Sequence, residues 1–231
     1  NYILLALGEL ILVVLGILIA LQVNNWNLDS MKKEQETKIL TEINEAFISD
    51  TVTLDFFAKR MEFNTRTVNS LVDALSNDQP YHDSLDKYFA MVVTPFMWAE
   101  SSSAYKTLLS KGIDIVSNDE IRNDIVSIHS GLYNNLDYLN NGVYLKYAYI
   151  HEYCIKHFNQ VESEAIDEKG NYTAGNMKPN DYEALKKDPE YLAILRTVIS
   201  QQKVFLKIIE YTQQQIRDTI DKISKELESR K

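Results

Sequence analysis

The first apolar run, Tyr2 to Val23, has no polar face at all: of its 22 residues only Glu9 is charged at neutral pH in water. A helix of that length reaches roughly 33 Å, enough to cross a hydrocarbon layer of about 30 Å. The run ends at Asn24, Asn25 and Trp26, the amides and amphipathic ring expected at headgroup level. The pattern predicts a transmembrane anchor over residues 1–26. A cleaved signal peptide fits less well, because the run is long and no small-x-small cleavage site follows it.

Beyond the anchor the pattern turns amphipathic. From Leu28 to about Asn77 no glycine or proline occurs. Leu40, Phe47, Leu54, Met61, Val68 and Leu75 recur at one heptad position, with Ile43, Phe57 and Leu71 at the other. Asp50 and Asn64 interrupt the second position, and polar residues there can set register or oligomeric state. The membrane helix is therefore expected to run on into a long helix that Asp78, Gln79 and Pro80 end, with Pro80 opening the next. A broken helical region follows to Lys111, where Gly112 supplies a stop. Ser117 and Glu120 form a capping-box signature for a helix reaching about Phe158. Its face runs through Ile121, Ile125, Ile128, Leu132, Leu136, Leu139, Val143, Tyr147, Ile150 and Cys154, with Gly131 and Gly142 as interruptions.

Periodicity then vanishes over residues 159–180, an acidic, turn-rich stretch read as a loop at the distal tip. Its Glu162, Glu164, Asp167 and Glu168 are the candidate partner contacts. Asp188 caps and Pro189 opens a last helix with Leu192, Ile199, Leu206, Ile220 and Leu227 at one heptad position. Leu195, Ile209, Ile216 and Ile223 hold the other, with Gln202 and Gln213 as polar breaks. Four helical stretches predict an all-α fold: an N-terminal transmembrane helix continuing into an elongated up-down-up-down bundle over residues 27–231.

Within the anchor, Glu9, Gly16 and Ala20 share one stripe, and the small pair Gly16 and Ala20 lets another helix approach closely. Glu9 either reaches the nearer headgroups or faces a partner helix as a functional acid. The block GELILVVLGILIALQVNNWN resembles the N-terminal signature of an uncharacterised family of small membrane proteins common in Bacteroidota. The stretch SSSAYKTLLSKGIDIVSNDEIRNDI, from Ser101 to Ile125, resembles that family's mid-chain motif. The resemblance implies a cytoplasmic N-terminus, one span of the inner membrane and a periplasmic domain, and it carries no activity. The first residue is Asn1 rather than Met, so the natural start is expected upstream.

Charge and composition narrow the function classes. A net charge of −9 argues against nucleic acid. The single cysteine, Cys154, allows no intrachain disulfide. His151, Glu152, Cys154 and His157 have ligand chemistry, but the i, i+4 histidine pair of a helical zinc site is missing, so ordinary packing is the expectation. No cofactor is implied, and no nucleophile elbow, phosphate loop or metalloprotease motif occurs. Of 14 tyrosines, Tyr133, Tyr138, Tyr144, Tyr147, Tyr149 and Tyr153 crowd one helix, as interface residues or as half-buried edges.

Three functions remain. The first is a non-catalytic interaction or scaffold protein, tethered in the bilayer, that forms a homo-oligomer or joins other envelope proteins. The second is a ligand-sensing bundle, which needs a partner to signal because the chain stops at Lys231 without a second span. The third is a proton-motive subunit using Glu9.

Overall fold

The computed structural model describes residues 2–94, 100–162, 164–166 and 172–230. Helix α1, Tyr2–Ser76, is one uninterrupted helix of 75 residues, about 112 Å long. Its described side chains from Leu12 to Gln35 are all exposed, and burial begins at Glu36. From there α1 is the spine of the domain. Leu40, Phe47, Leu54, Met61, Val68 and Leu75 are all buried, as the heptads require. The helix ends where the chain turns left-handed at Asp78, φ 54°. The Gln79 N–H reaches back to the Ala74 carbonyl at 3.0 Å, which satisfies a terminal acceptor.

Pro80 does not open the next helix. The chain first makes a turn in which the Ser84 N–H donates to His82 Nδ1, and α2 occupies Leu85–Val92. A local side-chain turn competes with helix initiation and delays it. Helix α3, Ser103–Lys111, stops at Gly112, whose φ of 95° suits glycine. The predicted capping box is displaced by one residue. Asn118 caps α4, Asp119–Ser127, by accepting from the Glu120 and Ile121 N–H groups. Ser117 is drawn away, giving both its N–H and its hydroxyl to Glu36.

The ascending helix is not a single α-helix. Between α4 and α5, Asn134–His157, a π-helical turn spans Ile128–Tyr133 around Gly131. Residues 159–180 are not a featureless loop either. Strand β1, Phe158–Val161, pairs antiparallel with β4, Met177–Pro179; β2, Glu164–Ile166, pairs with β3, Tyr172–Ala174. Phe158, Met177 and Pro179 are buried while Lys178 between the latter two is exposed, a period-two pattern too short to stand out in an acidic stretch. This ladder sits at the far end, where Lys178 Nζ lies 5.8 Å from the centre of the Tyr81 ring. Asp181 caps the short helix α6, Tyr182–Lys186, and Asp188 caps α7, Pro189–Glu228, with Pro189 in its first turn.

Contacts set the topology. Descending from the tip, Asn64 donates to the Met91 carbonyl, Asp50 accepts from the Ser101 N–H and Glu36 from the Ser117 N–H. On the way back up, Tyr133 meets Asp50 and Tyr153 meets Asp188. Helix α7 then descends α1 through Gln202 to Thr65, Gln213 to Thr51 and Arg230 to Glu36. The result is an all-α up-down-up-down bundle whose last helix returns to the anchor end.

Candidate functional site

Two of the described carboxylates of α1, Asp50 and Glu36, are buried, and both are held by the segment that begins at Ser101. Asp50 replaces an apolar heptad residue and is only 1% exposed. Its Oδ2 accepts from the Tyr133 hydroxyl at 2.6 Å and its Oδ1 from the Ser101 N–H at 3.0 Å. A buried carboxylate needs such donors, since desolvating it alone costs several kcal/mol. Burial, followed by the Asp50 charge, pushes the Tyr133 phenol far above its ordinary range, so it stays a donor.

Beside this pair, the π-helical turn presents His129 to Glu100, with 3.2 Å between Nδ1 and Oε2. The imidazole stacks on Tyr105 at a centroid distance of 4.0 Å and on Phe47 at 5.5 Å, and it meets the edge of Tyr133 at 5.0 Å. Burial pushes His129 down to about 4, so the ring is neutral at pH 7. Burial first, then the charges of Asp137 and Asp50, raises Glu100. Asp50, Glu100, His129 and Tyr133 thus form a linked polar network beside the π-helical turn, at the kind of helix irregularity often found at functional sites.

The second carboxylate, Glu36, lies at the anchor end. Its Oε1 accepts from the Ser117 N–H at 2.7 Å, the Ser117 hydroxyl at 2.8 Å and Arg230 at 2.9 Å. Burial raises its pKa, but the Arg230 and Ser117 hydrogen bonds outweigh that and hold the carboxyl below the usual range. Arg230 also grips Glu226, at 2.8 Å, and Glu226 accepts from Asn118. Three chain segments are tied together by charge-assisted bonds. The knot lines an open cleft of about 1350 Å³, bordered by Lys32, Lys33 and Lys38 on α1 and Lys111 on α3.

The residues singled out from the sequence are dispersed. Gly16, Ala20, Asn24, Asn25 and Trp26 are all exposed on α1, Trp26 at 73%. Glu9 is helical in backbone, and its side chain lies outside the description. Glu162 is exposed, Glu164 lies in β2, and Asp167 and Glu168 fall outside the described residues. Cys154 is buried and its thiol pushed up to about 12 by desolvation, whereas His151, Glu152 and His157 are exposed. Glu152 pairs with Lys156 and His157 stacks on Tyr153. Among the described residues no group of three His, Cys, Asp or Glu is placed to hold a metal ion.

Sequence reasoning missed Glu36, Glu100 and His129. Only Asp50, as a break in an otherwise apolar heptad, carried a visible signal. Several of the tyrosines crowding α5 are bonded donors: Tyr147 to the Thr94 carbonyl, Tyr149 to Glu190, and Tyr153 to Asp188.

This architecture defines a class of protein: an elongated all-α bundle carried on an N-terminal helix long and apolar enough to cross a membrane. The particular chain belongs to a family of unknown function, DUF6090, which matches residues 9–175. That span includes the apolar block from Glu9 and the segment from Ser101 to Ile125 that clasps Asp50 and Glu36. No curated protein and no solved structure matches the chain.

Proposed function

We propose that the protein is a membrane-anchored, non-catalytic interaction protein of the bacterial envelope. The anchor would lie in the inner membrane with its N-terminus cytoplasmic and the bundle periplasmic. One observation carries the reading. Helix α1 is continuous, its described apolar side chains before Glu36 are unburied, and its remainder is the buried spine of the domain. An uncovered apolar helix of this length is stable in lipid and not in water. The distal ladder, with Glu164 in β2 and Glu162 beside β1, is the surface offered farthest from the bilayer, and Asp167 and Glu168 of the same acidic stretch are the other partner contacts proposed.

Carbonate extraction of membranes, combined with protease protection of a C-terminal tag, tests this. The chain should stay in the membrane pellet, and the tag should be cut only from the periplasmic side. Recovery in the soluble fraction would remove the reading.

A second reading, a sensing bundle that signals through a partner, is favoured by the half-buried Glu100 paired with buried His129 of the π-helical turn. In that case Glu100→Gln would uncouple signalling and leave membrane attachment intact. The proton-motive reading rests on Glu9 alone and requires Glu9→Gln to abolish function without loss of the assembled protein.

A further inference from the structure

Helix α1 is held along most of its length, but not between Asn24 and Gln35. Below Asn24, in the membrane-anchored reading, its backbone hydrogen bonds lie in lipid, which offers them no other partner. Above, Glu36, Ile39, Leu40, Ile43 and Phe47 begin the series of buried residues, and Glu36 is tied to Ser117 and Arg230. The stretch between has neither support: all of its side chains are exposed, right round the helix. An open cleft of about 1350 Å³, lined by Asp29 and Lys33 and by Lys111 and Asp114 at the base of the bundle, brings water even to the side nearest the domain. Among the described residues, none of the stretch makes an ion pair, and Asp29 and Lys33, four positions apart, stay separate. A hydrogen bond from the Thr37 hydroxyl to the Lys33 carbonyl, 2.8 Å, reaches only its upper end.

The residues themselves are poor helix formers. Asn24, Asn25, Asn27, Asp29 and Ser30 crowd the lower half of the stretch, and such side chains bond nearby backbone groups in non-helical conformations. They are also the residues that end and restart helices: Asn tolerates a left-handed stop, and Asp or Ser caps a new N-terminus. Opening a helix from within exposes two new ends with unpaired N–H and C=O groups, which is what makes it costly. Here water and these side chains are at hand to meet them. We infer that residues 24–35 of α1 are a joint, at which the spine opens and the bundle turns on its anchor. The inference rests on the membrane-anchored reading above and says how the anchor carries its domain.

The lever above the joint is long. From Glu36 to Ser76 the helix rises about 60 Å, so a bend of about 30° moves the tip by about 30 Å. The cleft leaves room for the base of the bundle to swing toward Lys33. A tethered interaction protein thereby reaches partners at different distances and angles. A sensor needs the opposite, a rigid spine that passes a displacement of the bundle into the bilayer, and a joint here would absorb it. The joint therefore favours the interaction reading over the sensing one.

The test follows hydrogen–deuterium exchange of the full chain in phosphatidylethanolamine–phosphatidylcholine vesicles. Amides from Asn24 to Gln35 should exchange roughly a hundredfold faster than those from Ile39 to Leu54, with the anchor as slow as the latter. Replacing Asn24, Asn25, Asn27, Asp29 and Ser30 together by Ala should slow the joint roughly tenfold, and unchanged exchange in the bundle shows that its fold is intact. Spin labels on Leu21→Cys and Val52→Cys, both exposed positions, report the motion, while the buried Cys154 stays unlabelled. A straight helix holds these positions about 46 Å apart. The joint gives a broad distribution that extends to shorter distances, and the alanine variant narrows it to one peak. Exchange at the joint within about threefold of the bundle, or a single narrow distance in the wild type, would overturn the inference and leave the anchor standing. Fast exchange throughout Tyr2 to Gln35 would overturn both, because no part of the helix would then lie in lipid.

Discussion

The two halves of the bundle are held by different chemistry. Near the anchor, the core of Leu40, Phe47, Leu54, Ile125 and Ile216 encloses charge: Glu36 with Arg230, Asp50 with Tyr133, and Glu100 with His129. Toward the tip, the core of Phe89, Phe158, Tyr182 and Tyr191 is an aromatic cluster, with Phe89 5.2 Å from Phe158 and Tyr153 stacked 5.5 Å from Tyr191. The tip buries Lys186, but that side chain reaches out to two exposed carboxylates, Asp78 and Glu183, at the edge of the core. Between the halves lies a polar layer in which Asn64 donates to the Met91 carbonyl and Thr65 to Gln202 at 2.8 Å. Dispersion and burial stabilise the tip whatever the protonation state, whereas the anchor half depends on specific donors meeting specific acceptors. The same helix pair can thus carry a robust end and a titratable end.

The largest expected effect breaks the aromatic half. Phe89→Ala removes the ring that contacts Phe158, Tyr182 and Tyr191, and should cost about 3–5 kcal/mol. Denaturant unfolding checks this, and hydrogen exchange should show the loss concentrated above Asn64. Next comes Asp50→Ala, which removes the carboxylate that accepts from the Tyr133 hydroxyl and the Ser101 N–H. It should cost about 2–3 kcal/mol, with exchange rising below Asn64 instead. Adding Tyr133→Phe should recover part of the loss, because the hydroxyl is then gone. A double-mutant cycle measures that recovery.

Smaller, and specific to the anchor half, is a pH effect. The pKa of His129 is lowered to about 4, so the unfolded chain takes up its proton first as pH falls. Stability therefore declines from about 6.5 toward 4. The raised Glu100 acts in the opposite sense, costing stability as pH rises through its folded pKa. His129→Phe should flatten the fall in melting temperature between pH 6.5 and 4, and Phe89→Leu should leave that slope unchanged. Glu36 adds a lower window. Its depressed pKa contributes stability that is lost only as pH falls below the usual carboxylate range.

The smallest effect sharpens the boundary. Replacing Thr65 and Gln202 together by Val and Leu removes both partners of a buried hydrogen bond, and with them the Gln202 amide nitrogen that the bond leaves unsatisfied, and should change stability by less than about 1 kcal/mol. Should the two halves then unfold in a single broader-based transition, the polar layer separates them. Unchanged exchange profiles would assign it to register alone.

Much of this bundle could be read directly from residue order, because helix faces are periodic and periodicity is local. The apolar run before Asn24, the heptads of Leu40 to Leu75 and Leu192 to Leu227, the stop at Gly112 and the cap at Asp188 each follow from neighbours a few residues apart. The same holds for the buried status of Asp50, Asn64, Gln202 and Gln213, whose polarity stands out only against an apolar heptad.

What residue order could not reveal was which groups meet. Ser117 leaves its capping role for Glu36 across 81 positions, and Tyr133 reaches Asp50 across 83. Lys222 joins Asp124 across 98. No local pattern encodes such pairs, because their energy depends on two surfaces becoming adjacent and dry only after the helices pack. The ladder of Phe158 to Pro179 belongs with them: strands of three or four residues gain stability from the partner strand and from α2 beneath, not from their own propensity. Local periodicity determined which faces are apolar, and tertiary packing alone decided which polar groups those faces would enclose.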